Sequence, residues 1–488
     1  MMKKIKNITI VGGGSAGWLT ACWLKTASSC SQEINVTIID KSKPEIIGVG
    51  EATLTDFPKV MRRMGFDKND WMKRTDASFK AGGLFLDWGK KGSRIWHPFG
   101  FLGMDDLSLF DLWNPLYNKE WLNLHQPEYR ATIENKVEPR WLDERYANNI
   151  DCGLLVEVLK EWTQNIVTCI YSDVVNVKMA DSYNIESLLL KDGQTIESDL
   201  FIDCSGFNRL LNMEDSNDII DLKDRLFPNT AIATRIPYDE RRSLEEFHPY
   251  VKNEAVNLGW IWTIPIRSRI GSGLVFNRDI DDISTAKRFL LNHWDNRVGE
   301  EDLSVINWDP YVAKTFWKGN TVSIGLSAGF IEPLESTGLA MTLVCIEFLE
   351  STISGGFYES YEIDIYNSKM KTYFETAIDF VNMHYSYSEL ESPFWNYVKS
   401  NHKKSDMQEY MEEYIKDPSK PAFPEEFGEG FFKNGNCWAT WLYPLMPDIK
   451  EKVFYFDKKD IVDLNFSTEQ NSLELDYLYS KPHHEVLH

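Results

Sequence analysis

Residues 7–40 read NITIVGGGSAGWLTACWLKTASSCSQEINVTIID, and this stretch decides the fold of the chain. The apolar run at 7–11 predicts a buried strand, and residues 15–27 place small and apolar side chains at helical spacing. A second apolar run at 34–40 predicts another strand, which ends on Asp40. The order strand, helix, strand predicts a βαβ unit and an α/β fold.

The turn between the first strand and the helix carries three glycines in the pattern GxGxxG. In such a turn the first glycine makes the bend, the second admits a pyrophosphate, and the third lets helix and strand pack closely. The helix N-terminus offers free N–H groups to the anion, and a carboxylate at the end of the second strand can accept hydrogen bonds from ribose hydroxyls. The predicted contacts of this dinucleotide site are Gly12, Gly14, Ser15, Ala16, Gly17 and Asp40.

The segment after the βαβ unit favours FAD over a nicotinamide nucleotide. Residues 165–206 alternate short apolar runs with turns, including a Lys191-Asp192-Gly193 hairpin signal, before the strand-like sequence DLFIDCSG at 199–206. A β-sheet inserted into a dinucleotide domain is similar to that of FAD-dependent hydroxylases and their relatives. Because the chain has no second GxGxxG, we expect FAD to be the dinucleotide that it binds.

Composition and charge exclude several other classes of protein. The chain has 488 residues, with 52 Lys and Arg against 74 Asp and Glu, which gives a net charge of −22. Such a charge repels phosphate backbones, so we expect no nucleic-acid partner. The chain has no stretch of about 20 consecutive apolar residues, so no membrane partner is expected either. The 7 cysteines form no CxxC motif, which predicts free thiols, a cytoplasmic location and no metal site.

Four further motifs resemble those of a known family. Residues 259–265 read GWIWTIP, and residues 325–338 read GLSAGFIEPLESTG, with Leu326 where flavin hydroxylases usually have Asp. Lys80 follows Ser78-Phe79, and residues 48–53 read GVGEAT. Together these motifs resemble the flavin-dependent halogenases of the tryptophan halogenase family, and the resemblance covers about residues 7–400.

The resemblance implies a two-component halogenase. Such an enzyme uses reduced FAD (FADH2), O2 and a halide (chloride, bromide or iodide) to form hypohalous acid. A separate NAD(P)H-dependent flavin reductase supplies the reduced cofactor. The resemblance assigns catalytic roles to Lys80, which would hold the oxidant beside the substrate, and to Glu335, which would polarise the electrophile or accept the proton lost by the ring. Thr337 and Gly338, at the start of a helix predicted at 336–350, would bind the halide.

The resemblance also implies the remaining site residues. Further flavin contacts are Gly50, Glu51, Ala52, Gly325 and Leu326. Trp260, Trp262 and Pro265 would form a wall between flavin and substrate. His97, Phe99, Trp438 and Trp441 would line the pocket for the aromatic ring, although a core position explains the tryptophans as well.

The expected substrate follows from a difference between this sequence and the tryptophan-specific members of the family. Tryptophan-specific members have adjacent tyrosines in a C-terminal segment, whereas residues 436–442 here read NCWATWL. We therefore expect an indole-like or other small electron-rich aromatic rather than free tryptophan. His483, His484 and His488 cluster at the terminus, but no metal role is expected for them, because chain ends fray.

The elements interleave along the chain, so we expect two discontinuous parts. Residues 1–91 and 151–350 are assigned to an FAD-binding domain of the flavin-hydroxylase type with an inserted β-sheet. Residues 92–150 and 351–488 are assigned to a largely helical substrate-binding region. Two other functions stay open at this point, a single-component FAD-dependent aromatic hydroxylase and a non-catalytic flavoprotein. The oligomeric state is open as well, a homo-oligomer included.

Overall fold

The computed structural model describes residues 3–29, 34–41, 50–99, 132, 134–137, 146–211, 218–416, 430–432, 437–438, 441–442 and 481–486. The chain forms two compact units. The first contains residues 1–76, 150–226 and 307–375, and the second contains residues 77–149, 227–306 and 376–488. Much of the predicted insertion at 92–150, Gly48 and Val49 of the predicted flavin loop, and the acidic tail from 443 to 480 lie outside the described residues.

The described helices are α1 Ser15–Thr26, α2 Asp56–Arg63, α3 Lys68–Arg74, α4 Cys152–Thr163, α5 Ser243–Glu246, α6 Ile283–His293, α7 Thr337–Thr352, α8 Ser360–Met383, α9 Pro393–Asn401, α10 Asp406–Lys416 and α11 His483–Val486. The first described strands are β1 Lys3–Lys4, β2 Asn7–Val11, β3 Asn35–Asp40, β4 Glu51–Ala52, β5 Ser78–Lys80, β6 Gly82–Leu86, β7 Arg94–Pro98, β8 Lys136–Val137, β9 Ala147–Ile150, β10 Thr168–Tyr171, β11 Val174–Met179, β12 Ile185–Leu190 and β13 Thr195–Ile196. The others are β14 Leu200–Asp203, β15 Ile219–Asp221, β16 Thr230–Ile236, β17 Val251–Val256, β18 Gly259–Pro265, β19 Ile270–Phe276, β20 Ser304–Asn307, β21 Tyr311–Ala313, β22 Trp317–Lys318, β23 Thr321–Ser323, β24 Gly329–Phe330, β25 Phe357–Tyr358 and β26 Lys481–Pro482.

The first unit is built on a six-stranded sheet in the order β10-β3-β2-β14-β23-β22. All neighbours are parallel except β22, which runs antiparallel to β23. The parallel strands are runs of buried apolar residues, as expected for a sheet whose faces are covered by helices. In this unit, α1 packs on α4 and α7. The predicted βαβ unit at 7–40 is confirmed by β2, α1 and β3.

Besides the two-stranded sheet β1-β25, two three-stranded sheets lie wholly within the described part of the first unit. One has the order β11-β12-β13, and the predicted hairpin turn lies between β12 and β13, where Gly193 has φ +88°. The other has the order β15-β21-β24. The mixed α/β character expected from the sequence is therefore present in this unit, together with the added β-sheet.

The second unit is built on a seven-stranded sheet in the order β20-β16-β19-β18-β17-β6-β7. The GWIWTIP sequence is β18, fully buried between its antiparallel neighbours β17 and β19. One face of the sheet packs Ile261 and Leu274 against Leu290 of α6. Because side chains alternate along a strand, Trp260 and Trp262 lie on the opposite face.

The observed units differ from the predicted domains at residues 77–91, 227–306 and 351–375. The first two segments were expected in the FAD-binding part, whereas they contribute strands to the large sheet of the second unit. The third was expected in the substrate-binding region, whereas it belongs to the first unit. The second unit therefore contains a broad sheet in addition to its helices. Within the described residues, no helix has the length and apolarity needed to cross a membrane.

Candidate active site

The glycine turn of the first unit has the close contacts that its sequence predicts. Gly12 has φ +114°, and a Cβ atom added there would lie 2.2 Å from the carbonyl oxygen of Cys204. A Cβ atom at Gly17 would lie 1.9 Å from the carbonyl oxygen of Gly12. Neither position can accept a side chain without moving backbone, so these glycines hold α1 tightly against β2 and β14.

Gly14 differs from its neighbours because it faces open space. A Cβ atom added there would meet nothing within 4 Å. The helix α1 begins at Ser15, and its N-cap is Gly14, which has no side chain that could cap the first turn. Free N–H groups beside open space fit the pyrophosphate of a dinucleotide.

Asp40 lies at the end of β3, as predicted, but its carboxylate already has protein partners. Its Oδ2 atom lies 3.1 Å from Nζ of Lys160 and 3.4 Å from Nε1 of Trp18. Burial disfavours the Lys160 ammonium, but the hydrogen bond and charge of Asp40 hold the pKa of Lys160 above its usual value. A Cβ atom at Gly13 would lie 1.9 Å from Cγ of Asp40, so the carboxylate is packed against the glycine turn.

The segment at 325–327 lies against the same turn. Gly325 has φ +70°, and a Cβ atom there would lie 2.7 Å from Cβ of Ala16. The hydroxyl of Ser327 donates to the buried carboxylate of Asp203 at 2.9 Å, and the carbonyl of Leu326 accepts from the hydroxyl of Tyr311. Two segments that the sequence assigns to flavin binding, about 310 residues apart, are therefore adjacent in the first unit.

The backbone before α7 is strained. Glu335 has φ 61° and ψ 14°, and Ser336 has φ 59° and ψ 34°. For residues with side chains this left-handed conformation costs about 1–3 kcal/mol each, and such strain is concentrated at functional sites. Ser336 makes no side-chain hydrogen bond to the first turn of α7, which begins at Thr337.

Glu51 lies close to the beginning of α7. A Cβ atom at Gly338 would lie 3.9 Å from Oε1 of Glu51. Burial raises the pKa of the thiol of Cys152, the first residue of α4, and the charge of Glu51 raises it further. Glu51, which the family resemblance assigns to flavin binding, therefore lies near the beginnings of α4 and α7.

Lys80 is the last residue of β5 in the second unit. The strand is buried, and Lys80 is only 4% exposed. Its Nζ atom lies 4.9 Å from the centroid of the Phe99 ring. At this distance the ring attracts a cation by about 1 kcal/mol. Lys80 and Phe99, to which the family resemblance gives roles in halogen transfer and in the substrate pocket, are therefore neighbours.

A hydrogen-bond network joins β5 to the end of the GWIWTIP strand. The hydroxyl of Ser78 donates to the carbonyl of Pro265 at 2.5 Å. The amide of Asn149 donates to the same carbonyl at 3.1 Å and to the hydroxyl of Ser78 at 3.2 Å. Because Asn149 is fully buried on β9, this network fixes the position of β5 relative to β18.

The predicted wall residues Trp260 and Trp262 pack face to edge, with ring centroids 6.2 Å apart. Trp260 donates from Nε1 to the hydroxyl of Tyr385 at 3.1 Å. A Cβ atom at Gly273 would lie 2.1 Å from the Trp262 ring, so this glycine makes room for it. Both indoles are core residues of the second unit, and their contact with a flavin stays a prediction.

Three of the predicted pocket residues, His97, Trp438 and Trp441, lie in one aromatic cluster of the second unit. The His97 ring lies 5.6 Å from that of Phe380, which also contacts Trp438 at 5.3 Å. Trp441 contacts His384 at 3.9 Å. Trp438 and Trp441 are 1% and 0% exposed, so they serve the core, and their contact with a substrate stays a prediction.

The family model for tryptophan halogenase matches residues 7–445. The chain belongs to the tryptophan halogenase family. The resemblance read from the motifs is thereby confirmed, and the chain is an FADH2-dependent enzyme of the halogenase class.

Relatives and solved structures of this family are similar to the chain over most of its length. The tryptophan 6-halogenase ThaL of Streptomyces albogriseolus is 29% identical, over 81% of this chain and 79% of ThaL. The tryptophan 7-halogenase RebH of Lentzea aerocolonigenes is 28% identical, over 84% of this chain and 82% of RebH.

Two solved structures show the same fold. A tryptophan halogenase from Shewanella frigidimarina has a TM-score of 0.87 and 24% identity, covering 99% of this chain and 97% of its own. BrvH, a flavin-dependent halogenase from Brevundimonas, has a TM-score of 0.81 and 25% identity, covering 99% of both chains.

In this halogenase, predicted site residues of the first unit lie near one another, and so do predicted site residues of the second unit. Glu335 belongs to the first unit and Lys80 to the second, and their joint action stays a prediction.

Four supporting residues could not be read as such in the motifs, namely Ser78, Asn149, Lys160 and His483. Ser78 could have been found, because residues two apart share a face of a strand. The other three lie in distant segments and carry no local signal.

Proposed function

We propose that this protein is a two-component flavin-dependent halogenase that transfers an electrophilic halogen through Lys80 to an electron-rich aromatic ring. The observation that carries the proposal is the burial of Lys80 beside the Phe99 ring, on a strand tied to Pro265 of the GWIWTIP motif. A buried ammonium is costly, so a chain that keeps one on a short strand has a use for it.

The first unit fits FAD. Gly14 and the start of α1 would hold the pyrophosphate, and Asp40 would hold the ribose. The remaining contacts would come from Gly12, Ser15, Ala16, Gly17, Gly50, Glu51, Ala52, Gly325 and Leu326. When bound, reduced FAD would supply one electron pair for the four-electron reduction of O2 and the halide would supply the other, so that halide, O2 and a proton yield hypohalous acid, water and oxidised FAD.

The halide would bind at the start of α7, through the backbone N–H groups of Thr337 and Gly338. The positive end of a helix dipole attracts an anion there. The left-handed backbone at Glu335 and Ser336 turns the chain sharply just before this helix, which supports a fixed placement of these N–H groups.

Lys80 would hold the oxidant by an ammonium hydrogen bond or as a haloamine. The aromatic ring attacks the halogen, a carbon–halogen bond forms, and the ring loses a proton. With hypohalous acid the halogen–oxygen bond breaks and water is released. With a haloamine the halogen–nitrogen bond breaks and the Lys80 amine is restored, water having been released when the haloamine formed. Glu335 would polarise the electrophile or accept that proton. His97 and Phe99, with Trp438 and Trp441 behind them, would present the ring to Lys80.

The substrate class is an indole-like or other small electron-rich aromatic. An aromatic slot around His97 and Phe99 recognises a flat ring by burial and stacking. The sequence NCWATWL at 436–442 lacks adjacent tyrosines for the amino-acid end of free tryptophan. A separate NAD(P)H-dependent flavin reductase would deliver the reduced cofactor.

The experiment combines the protein with a flavin reductase, NADH, FAD, bromide and a panel of indoles and phenols. Mass spectrometry should detect the bromine isotope doublet in at least one product, and bromination should require the reductase. Absence of the doublet across the panel would contradict the proposal. Oxidation of NADH without the reductase, accompanied by a hydroxylated product, would instead show a single-component hydroxylase.

A further inference from the structure

The outer edge of β5 is covered by residues from two distant segments. β5 is the last strand of its sheet and pairs with β9 along one edge. On the other edge, the N–H group of Phe79 donates to Nε2 of His483 at 3.1 Å. The N–H group of Ala81 donates to the carbonyl of Pro249 at 2.8 Å. The backbone on both sides of Lys80 is therefore held in place, in the first case by a residue 404 positions away.

The contacts of His483 define its protonation. Because the N–H group of Phe79 is a donor, Nε2 must carry the lone pair. Nδ1 lies 3.3 Å from the carbonyl of Phe247, so it carries the proton and donates it. The ring stacks on Phe247 at 4.4 Å and 11°. Burial lowers the pKa of His483 to about 3, which keeps the ring neutral and its acceptor available.

The segment around His483 is itself anchored. Lys481 and Pro482 pair with Val137 and Lys136, and the N–H group of His483 donates to the carbonyl of Asn135 at 2.8 Å. His483 is only 1% exposed. The expectation that this residue lies on a frayed end is therefore wrong, because its backbone and its ring are both bound.

We propose that His483 is a positioning residue for Lys80, because its Nε2 atom fixes the strand from which the Lys80 side chain extends. The proposal rests on the proposed function, in which Lys80 transfers the halogen. β5 has only three residues, so each hydrogen bond along it contributes much to the placement of Lys80. A displacement of about 1 Å at a reacting group costs about a hundredfold in rate.

The test uses three variants of the full chain. His483→Phe keeps the buried ring and its stacking but removes the acceptor. His483→Gln offers an amide oxygen to the Phe79 N–H group. His248→Phe is the matched control, because His248 is also buried, also stacks on a ring, and bonds the carbonyl of Tyr250.

The first measurement needs no turnover. Acetic anhydride labels lysines, and mass spectrometry quantifies the labelling of Lys80 and the amide exchange of Phe79. His483→Phe should raise both by about tenfold or more, whereas His483→Gln and His248→Phe should stay near the wild-type values. Unchanged labelling of Lys80 in His483→Phe would overturn the proposal, whether or not the protein halogenates anything.

The second measurement is the amount of halogenated product per reduced flavin oxidised. This ratio should fall about tenfold or more in His483→Phe and be restored in His483→Gln. An equal fall in His248→Phe would show a general structural role and overturn the positioning role. Failure of the proposed function looks different, because the wild type would then give no product while the Lys80 labelling still responds to His483→Phe.

Discussion

The glycine turn of the first unit and the lysine strand of the second unit are built in opposite ways. The turn draws its parts from one stretch, residues 7–40, in which strand, glycines, helix and acid follow in order. The lysine strand has only three residues and is held by Asn149, Pro265, Pro249 and His483, which come from four other segments. Local pattern therefore specifies the first region, and tertiary contact specifies the second.

The largest effect is expected from filling the tightest contact of the glycine turn. Gly17→Ala would place a Cβ atom 1.9 Å from the carbonyl oxygen of Gly12, which forces backbone to move. We expect a loss of about 3 kcal/mol or more in the free energy of unfolding, measured by urea denaturation.

Gly14→Ala is the matched control, because its Cβ atom would enter open space. It should fold like the wild type and weaken FAD binding by about tenfold, measured by fluorescence quenching. If both variants lose stability equally, the separate roles of the glycines are wrong.

The next effect concerns the lysine strand. Asn149→Leu removes two buried hydrogen bonds and leaves the carbonyl of Pro265 with Ser78 alone. We expect a loss of about 1–3 kcal/mol in stability and a lower yield of product per reduced flavin. FAD affinity should be unchanged, because Asn149 belongs to the other unit. A weakened FAD affinity with an unchanged yield would contradict the comparison.

A smaller effect is expected from the partner of Asp40. Lys160→Met keeps the aliphatic stem but leaves the buried carboxylate without its cation. The expected loss of stability is about 1–2 kcal/mol, because Lys160 is itself partly exposed. Lys178→Met is the control, since Lys178 pairs with Glu186 on the surface and should contribute about 0–1 kcal/mol. Equal losses in thermal denaturation would remove any special role for Lys160.

The most gradual effect is a change in pH dependence. The pKa of His483 is lowered from 6.5 to about 3 in the folded chain. Between these values the unfolded chain binds a proton that the folded chain does not, so stability falls as pH falls below 6.5.

His483→Phe should reduce this slope by about 1.4 kcal/mol per pH unit, measured by denaturation between about pH 6 and about pH 4.5. His248→Phe should do the same, because the pKa of His248 is also about 3. An unaltered slope in His483→Phe would show that the ring is not held neutral.

The sequence predicts more of the glycine turn than of the lysine strand. The βαβ unit, the contacts of Gly12 and Gly17, and the start of α7 follow from spacing and residue type. The family follows from motifs such as GWIWTIP. The network of Ser78, Asn149 and Pro265 could not be predicted, because it depends on strand pairing between distant segments. His483 was misjudged for the same reason, since only the folded chain shows its partners.

The most direct test of the account is the variant Lys80→Met, which keeps the length of the side chain and removes its nitrogen. Wild type and variant are supplied with reductase, NADH, FAD, bromide and an accepted aromatic, and both O2 consumption and brominated product are measured. We predict that O2 consumption stays within about twofold while product falls by about a thousandfold. Product formation at the wild-type rate, or a parallel loss of product and O2 consumption, would contradict the role of Lys80.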